Sequence, residues 1–171
     1  YNIGYVVSDY YANGSFWCSY PNKSFKQRPD KAVKAENGKI YVSVVFSDGD
    51  NVQFDQNALY AIWTEDTDRG AFPVGTTLCA GMQELNPFLL EWYYKHMSPN
   101  DELMAGPSGY QFIYGRDYSE EGYEKWLELN RRWLASAGFK TACFWHTSYG
   151  TDRFYRYAET LSLIHISEPT R

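Results

Sequence analysis

Two carboxylates and a carboxamide follow an apolar run near position 48, and these residue types suit acid–base or sugar-binding chemistry. Residues 47–51 read Ser-Asp-Gly-Asp-Asn and place Asp48, Asp50 and Asn51 directly after the strand-like residues 40–46. In parallel α/β folds, ligands and catalytic groups collect at the carboxyl edge of the sheet, because the loops converge there. The same segment also fits an ordinary turn in which Asp48 caps the following helix, since Asp, Gly and Asn are common turn residues.

Hydrolysis of a glycosidic bond is one reaction that paired carboxylates can carry out. It needs two carboxyl groups across the bond, about 5 Å apart for retention of configuration and wider for inversion. We expect Asp48 to be the nucleophile or base, with Asp50 orienting it or binding sugar hydroxyls together with Asn51. A second carboxylate could come from another strand end, where Glu84 and Asp9 are the candidates. Glu84 also fits a solvated loop charge, and Asp9 also fits a turn residue.

Aromatic and histidine side chains at other strand ends could complete a cleft. Tyr110 follows the glycine-rich residues 106–109, and Trp145 and His146 follow a predicted strand that begins at residue 140. Tyr110 or Trp145 would serve as the sugar platform, because flat rings with polar edges suit sugar rings. Oxygen ligands in residues 48–51 also suit Ca²⁺ or Mg²⁺, but they lack the spacing of a calcium loop. We therefore predict no metal site and no cofactor.

Composition limits the classes of partner. The formal net charge is −5 and aromatic residues make up 19% of the chain, although most rings would fill the core. Mild acidity without a cluster of Lys or Arg argues against nucleic acids and anionic membranes as partners. No apolar run approaches the length of a membrane span. The three cysteines are far apart, lack metal-ligand spacing and indicate no compartment. The sequence gives no indication of the oligomeric state.

Strands and helices alternate along the chain. Predicted strands begin near residues 2, 40, 74, 102 and 140, and predicted helices cover 56–64, 87–97, 119–137 and 151–160. The last four strand starts are roughly 30 to 35 residues apart on average, which is the repeat of a β/α unit with right-handed crossovers and parallel strands. We predict an α/β fold, either a partial TIM-like (β/α) barrel or an open parallel sheet with outer helices.

The two ends of the sequence look unlike those of a natural domain. Residues 161–171 read Leu-Ser-Leu-Ile-His-Ile-Ser-Glu-Pro-Thr-Arg and resemble the translation of a sequencing-library adapter, and the sequence begins at Tyr1 without Met inside a strand-like run. We expect one domain over residues 1–160, truncated at both ends, and a non-native tail over residues 161–171. This tail should pack on nothing, or its Leu and Ile side chains should be drawn onto exposed apolar surface.

Three segments together resemble the C-terminal domain of the GxGYxYP putative glycoside hydrolases. They are residues 41–54, with Ser-Asp-Gly-Asp-Asn, residues 86–101, and residues 104–110, with Ala-Gly-Pro-Ser-Gly-Tyr. The name-giving motif matches only at Gly109 and Tyr110, because Phe112 and Ile113 stand where the family has Tyr and Pro. The resemblance implies a barrel-like α/β domain, a carbohydrate substrate and an extracytoplasmic or secreted location. A non-catalytic carbohydrate-binding or structural domain of a larger secreted protein is the alternative.

Overall fold

Seven helices and three strands make up the part of the chain that the structure describes. The structure, a computed structural model, describes residues 6, 8–28, 34–143 and 151–165. In chain order the elements are α1 (Gly14–Trp17), β1 (Val45–Phe46), α2 (Val52–Gln56), α3 (Ala58–Glu65), β2 (Val74–Leu78), α4 (Met82–Leu85), α5 (Pro87–His96), β3 (Asp101–Ala105), a 3₁₀ turn (Gly115–Asp117), α6 (Glu120–Ala137) and α7 (Thr151–His165).

The strands form one parallel sheet in the order β1-β2-β3. Val45 pairs with Gly75 and Leu78 pairs with Ala105, and a parallel bridge from Ala105 to Ala142 continues the order beyond β3. The prediction of neighbouring parallel strands is therefore confirmed. The described sheet is open, and a closed TIM-like barrel is not seen within the described ranges.

The strand predicted over residues 40–46 is much shorter in the structure. Only Val45 and Phe46 pair, and the side chains of Ile40 and Val42 are 92% and 82% exposed. The prediction of a strand over the whole of residues 40–46 is therefore wrong. The physical reason is that β1 lies at the edge of the described sheet, where it pairs with β2 on one side only.

Local signals predicted the two best helices correctly. Asn86 caps α5 by accepting a hydrogen bond from the Leu89 N–H at 3.1 Å, and Ser119 caps α6 in the same way through Gly122. Gly138 ends α6 in the left-handed conformation, with φ 75°. The helix predicted over 56–64 corresponds to α3, and a separate short helix, α2, precedes it because the chain breaks at Asn57. The strand predicted over 2–8 falls mostly outside the described residues.

Two apolar clusters hold the elements together. The larger joins α3, β2, α5, β3 and the end of α6, with Tyr93 and Leu103 fully buried. The smaller lies between α6 and α7 around Tyr123 and Tyr157. Leu161 is half-buried and packs against both clusters, which agrees with the second of the two expectations for residues 161–171, that their Leu and Ile side chains are drawn onto apolar surface. The adapter origin of the segment stays a prediction. None of the helices in the described ranges has the length and apolar character needed to cross a membrane.

Candidate functional site

Three loops leave the carboxyl edge of the sheet side by side, because β1, β2 and β3 are parallel. The first, residues 47–51, is held on β2 by Thr77, whose Oγ1 accepts from the Gly49 N–H at 3.0 Å and donates to the Phe46 carbonyl at 3.1 Å. A Cβ at Gly49 would lie 1.7 Å from the Thr77 carbonyl oxygen, and one at Gly106 would lie 2.7 Å from the Asp50 nitrogen. This first loop therefore sits directly on the ends of β2 and β3.

Asp48 is at the exposed tip of this loop. Its backbone has φ 86°, a left-handed conformation that Asp tolerates better than most residues. Asn51, three residues later, caps α2, because its Oδ1 accepts from the Gln53 N–H at 3.0 Å and the Phe54 N–H at 3.4 Å. The interpretation of residues 47–51 as a turn predicted Asp48 as the helix cap, whereas the cap is Asn51. The role of Asn51 in substrate binding stays a prediction.

Asp50 is half-buried between the loop and the strand ends. Its Oδ1 is buried and accepts no hydrogen bond from any residue that the structure describes. Burial, together with the nearby charge of Asp48, raises the pKa of Asp50 to about 6. The loop therefore carries one exposed carboxylate beside a second carboxyl group that is protonated up to mildly acidic pH.

Asp55 is an acid that the sequence analysis did not single out. It lies on α2, is fully buried, and accepts a 3.4 Å hydrogen bond from the Cys79 N–H through Oδ2, while its Oδ1 has no partner among the described residues. Burial holds the pKa of Asp55 well above its usual range, and the charges of Asp50 and Asp48 act in the same direction. Helical spacing with the buried Val52 and Leu59 is the signal that could have found it.

Glu84 and Tyr110 pair across the second and third loops. The Tyr110 hydroxyl donates to Glu84 Oε2 at 2.5 Å, and the ring of Tyr110 packs against Trp133 with centroids 5.7 Å apart. Burial raises the pKa of Tyr110, and its hydrogen bond to Glu84 adds to that shift. Glu84 is exposed on α4. The structure thus brings Glu84 to Tyr110, whereas the charge of Asp48 raises the pKa values of Asp50 and Asp55.

Of the three remaining predicted site residues, only Asp9 lies within the described part of the chain. Asp9 is exposed, and its N–H donates to Gln53 Oε1 on α2 at 3.2 Å. Trp145 and His146 lie outside the described residues, so their part in a cleft stays a prediction. No group of three or more His, Cys, Asp or Glu side chains in the described ranges is arranged to hold a metal ion.

A buried polar network fixes the third loop. Asn130 on α6 accepts from the Tyr110 N–H at 2.6 Å and donates to the Ser108 carbonyl at 3.1 Å and to the Tyr157 hydroxyl at 2.8 Å. The Tyr157 hydroxyl in turn donates to the Ser108 carbonyl at 2.8 Å. Helices α6 and α7 together therefore set the position of residues 106–110.

An open parallel sheet with acids gathered at its carboxyl edge is an arrangement that α/β enzymes use for their active sites. The chain belongs to the family described as the GxGYxYP putative glycoside hydrolase C-terminal domain, which matches residues 38–164. This confirms the family resemblance seen in the sequence.

A solved structure supports the fold. The chain is similar to a putative hydrolase from Bacteroides thetaiotaomicron VPI-5482, with 30% sequence identity and a TM-score of 0.69. The similarity covers 75% of this chain and 25% of that one, so this chain spans about a quarter of the solved protein's length. No curated protein matches the sequence significantly.

Replacing Asn130 with Leu should lower the free energy of unfolding by about 2 to 3 kcal/mol, because the Tyr110 N–H loses its partner while the Ser108 carbonyl keeps only the Tyr157 hydroxyl. Urea denaturation followed by circular dichroism measures this change. The Tyr157→Phe variant removes only one hydroxyl and should cost about 1 kcal/mol. An Asn130→Leu variant as stable as the wild type would show that the network does not hold the loop.

Stability should fall as pH rises because of Asp55. The unfolded chain releases the Asp55 proton near pH 4, whereas the folded protein keeps it to a much higher pH. The folded state then binds one proton more than the unfolded state, so the free energy of unfolding should fall by about 1.4 kcal/mol per pH unit above pH 4. Asp55→Asn, measured by urea denaturation between pH 5 and 8, should flatten this slope.

The exposed Asp68 provides the control for this experiment. Asp68→Asn makes the same chemical change on the surface and should leave the slope of stability against pH as it is in the wild type. Equal slopes in the wild type and the Asp55→Asn variant would contradict a proton held on Asp55.

Proposed function

We propose that this chain is a carbohydrate-active hydrolase domain that cleaves glycosidic bonds with Asp48 and Asp50. The observation that carries the proposal is the pair itself: two carboxyl groups on one tight loop, one exposed and one half-buried with a pKa raised to about 6. Glycoside hydrolysis uses one carboxylic acid and one carboxylate in different environments. Burial and mutual repulsion create that difference here.

In this proposal Asp50 protonates the leaving oxygen. A general acid must hold its proton at the working pH and release it readily, which a pKa near 6 allows. The same burial that raises the pKa also leaves Oδ1 without a protein partner, so the carboxyl group is not neutralised by an ion pair with any described residue.

Asp48 supplies the negative charge. It is exposed at the tip of the loop, where a sugar or a water molecule can reach it, and it acts as nucleophile or as base. Beneath the pair, a protonated Asp55 adds no further negative charge to the cluster, because its buried position favours the neutral acid.

Glu84 is the alternative second carboxylate. Its hydrogen bond from Tyr110 links it to the third loop, at the same edge of the sheet as Asp48. Asn51 and Asp9 would bind sugar hydroxyls, and Trp145 and His146 would line the remaining side of the cleft. The hydrolase family and the solved hydrolase of similar fold support carbohydrate as the substrate class.

Replacing Asp48 with Asn should lower the rate of glycan hydrolysis by about a hundredfold to ten-thousandfold, because the variant keeps the size of the side chain and loses its charge. The protein is expressed from its complete reading frame and tested against a panel of neutral polysaccharides by release of reducing ends. Activity should also fall as pH rises through about 6, since Asp50 then loses its proton. Asp50→Asn should itself lower the rate, because the proton donor is lost, and its residual activity should no longer fall through this pH range.

The exposed Asp68 again provides a matched control, because it precedes β2 and therefore lies away from the carboxyl edge. Asp68→Asn should keep wild-type activity. Full activity of Asp48→Asn, with an unchanged melting temperature, would show that Asp48 is only a turn residue. In that case Glu84→Gln tests the alternative carboxylate by the same assay.

A further inference from the structure

A pocket outside the carboxylate cluster is lined by aromatic rings and side-chain amides. It has a volume of about 340 Å³ and lies between α1, the junction of α2 with α3, and the start of α5. This volume is within the range of small-molecule sites. None of its lining residues is Asp48, Asp50, Glu84 or Tyr110, so the pocket is separate from the proposed catalytic groups.

Three rings form its apolar part. Trp17 and Phe88 are nearly parallel, with an angle of 24° between their planes and centroids 5.9 Å apart. Tyr60 packs on Trp92 with centroids 4.6 Å apart, which fixes its ring at the pocket wall. Phe88 and Tyr60 remain 43% and 40% exposed, so a considerable area of aromatic surface is in contact with solvent. Flat, fixed and accessible rings are suited to stacking against a flat ligand face.

Four carboxamides form the polar part, from Asn13, Gln56, Asn57 and Asn86. Asn86 is the most informative, because it is 2% exposed and its Oδ1 accepts from the Leu89 N–H, while its Nδ2 donates to no residue in the described ranges. Buried amide groups normally have a partner for each polar atom. The Gln56 side chain, which also lines the pocket, makes no hydrogen bond within the described part of the chain either. These amides are available to a ligand.

Among the described residues that line the pocket, none carries a charged side chain. An anion would find no cationic group there, and a cation would find no carboxylate. A purely apolar ligand would cover the amides of Asn86 and Gln56 and separate them from water without giving them a partner, which costs free energy. An uncharged ligand with an apolar face and several hydroxyls satisfies both halves of the lining, because carboxamides donate to and accept from hydroxyls.

The walls come from distant parts of the sequence but are tied together. The Tyr11 hydroxyl donates to the Leu85 carbonyl just before α5, and Asn57 Nδ2 donates to the Tyr10 hydroxyl at 3.3 Å. Cys18, after α1, also donates to the Leu85 carbonyl, at 3.4 Å. These links hold the segment that carries α1 against α3 and α5, so the pocket is formed before any ligand arrives.

We infer that this pocket is a second, non-catalytic binding site for a neutral pyranose unit of an oligosaccharide, stacked on the Trp17–Phe88 pair and hydrogen-bonded by Gln56 and Asn86. The ligand class agrees with the proposed function, but it follows from the lining of the pocket alone. The site retains the glycan chain while the carboxylates at the sheet edge act on it.

Binding of neutral tetrasaccharides tests the inference. Xylotetraose, cellotetraose, maltotetraose and mannotetraose are titrated into the whole chain at millimolar concentration by isothermal calorimetry, with trigalacturonic acid as a charged comparison. At least one neutral tetrasaccharide should bind saturably. Phe88→Ala should weaken that binding about fivefold or more through the lost ring, and Gln56→Leu about threefold or more through the lost amide.

Phe72 is the matched control for Phe88. It is 55% exposed and does not line the pocket, so Phe72→Ala removes an equally exposed ring elsewhere and should leave affinity unchanged. Comparing the melting temperatures of the two variants separates lost binding from lost folding. Equal affinities of Phe88→Ala and Phe72→Ala, binding of trigalacturonic acid alone, or no saturable binding of any neutral tetrasaccharide would each overturn the inference.

The Asp48→Asn variant keeps this test separate from the test of catalysis. It should bind the tetrasaccharide with wild-type affinity, because Asp48 does not line the pocket. Pocket binding without any turnover would refute the proposed hydrolysis and leave the second site standing. Turnover that depends on Asp48 without pocket binding would refute only the second site.

Discussion

The buried amide of Asn130 is the contact on which the geometry of the sheet edge depends. It satisfies the backbone on both sides of Gly109, which has φ 113° and no room for a Cβ, since one would lie 2.4 Å from Asn130 Oδ1. The same amide reaches the Tyr157 hydroxyl on α7. The third loop, α6 and α7 are therefore locked into one arrangement, and Tyr110 and its partner Glu84 take their positions from it.

The three carboxyl groups that follow β1 are progressively more buried along the sequence. Asp48 is exposed, Asp50 is half-buried and Asp55 is fully buried. Each step inward costs the ionised form more of its hydration, so the pKa of Asp50 rises to about 6 and that of Asp55 rises well above the usual range. One short segment thus supplies groups of different acidity without any cation, and it does so because the first loop lies flat on β2 and β3.

Local patterns predicted the parts of the fold that local forces determine. The caps at Asn86 and Ser119, the left-handed Gly138 and the parallel order of the strands all follow from short-range signals and from the repeat of β/α units. The length of β1 depends on whether another strand pairs with it on its free side. Residues 40–46 carry no information about such a neighbouring strand. The break at Asn57 and the Asn130 network depend on contacts between distant segments. The position of Asp55 was readable from helical spacing, but an acid on an apolar face is easily taken for an exposed charge.

Asn51 belongs to the candidate catalytic loop, and its side chain also caps the N-terminus of α2. Pulling the loop away from the sheet would release two amide N–H groups of the helix at the same moment, so the tip that bears Asp48 is coupled to the winding of α2. A ligand that bound by bending this loop would have to unravel a helical turn, and Asp55 within that turn would be drawn toward water and ionise. Under the proposed function, the edge would therefore receive its ligand as a rigid surface, with selectivity set by shape rather than by adaptation.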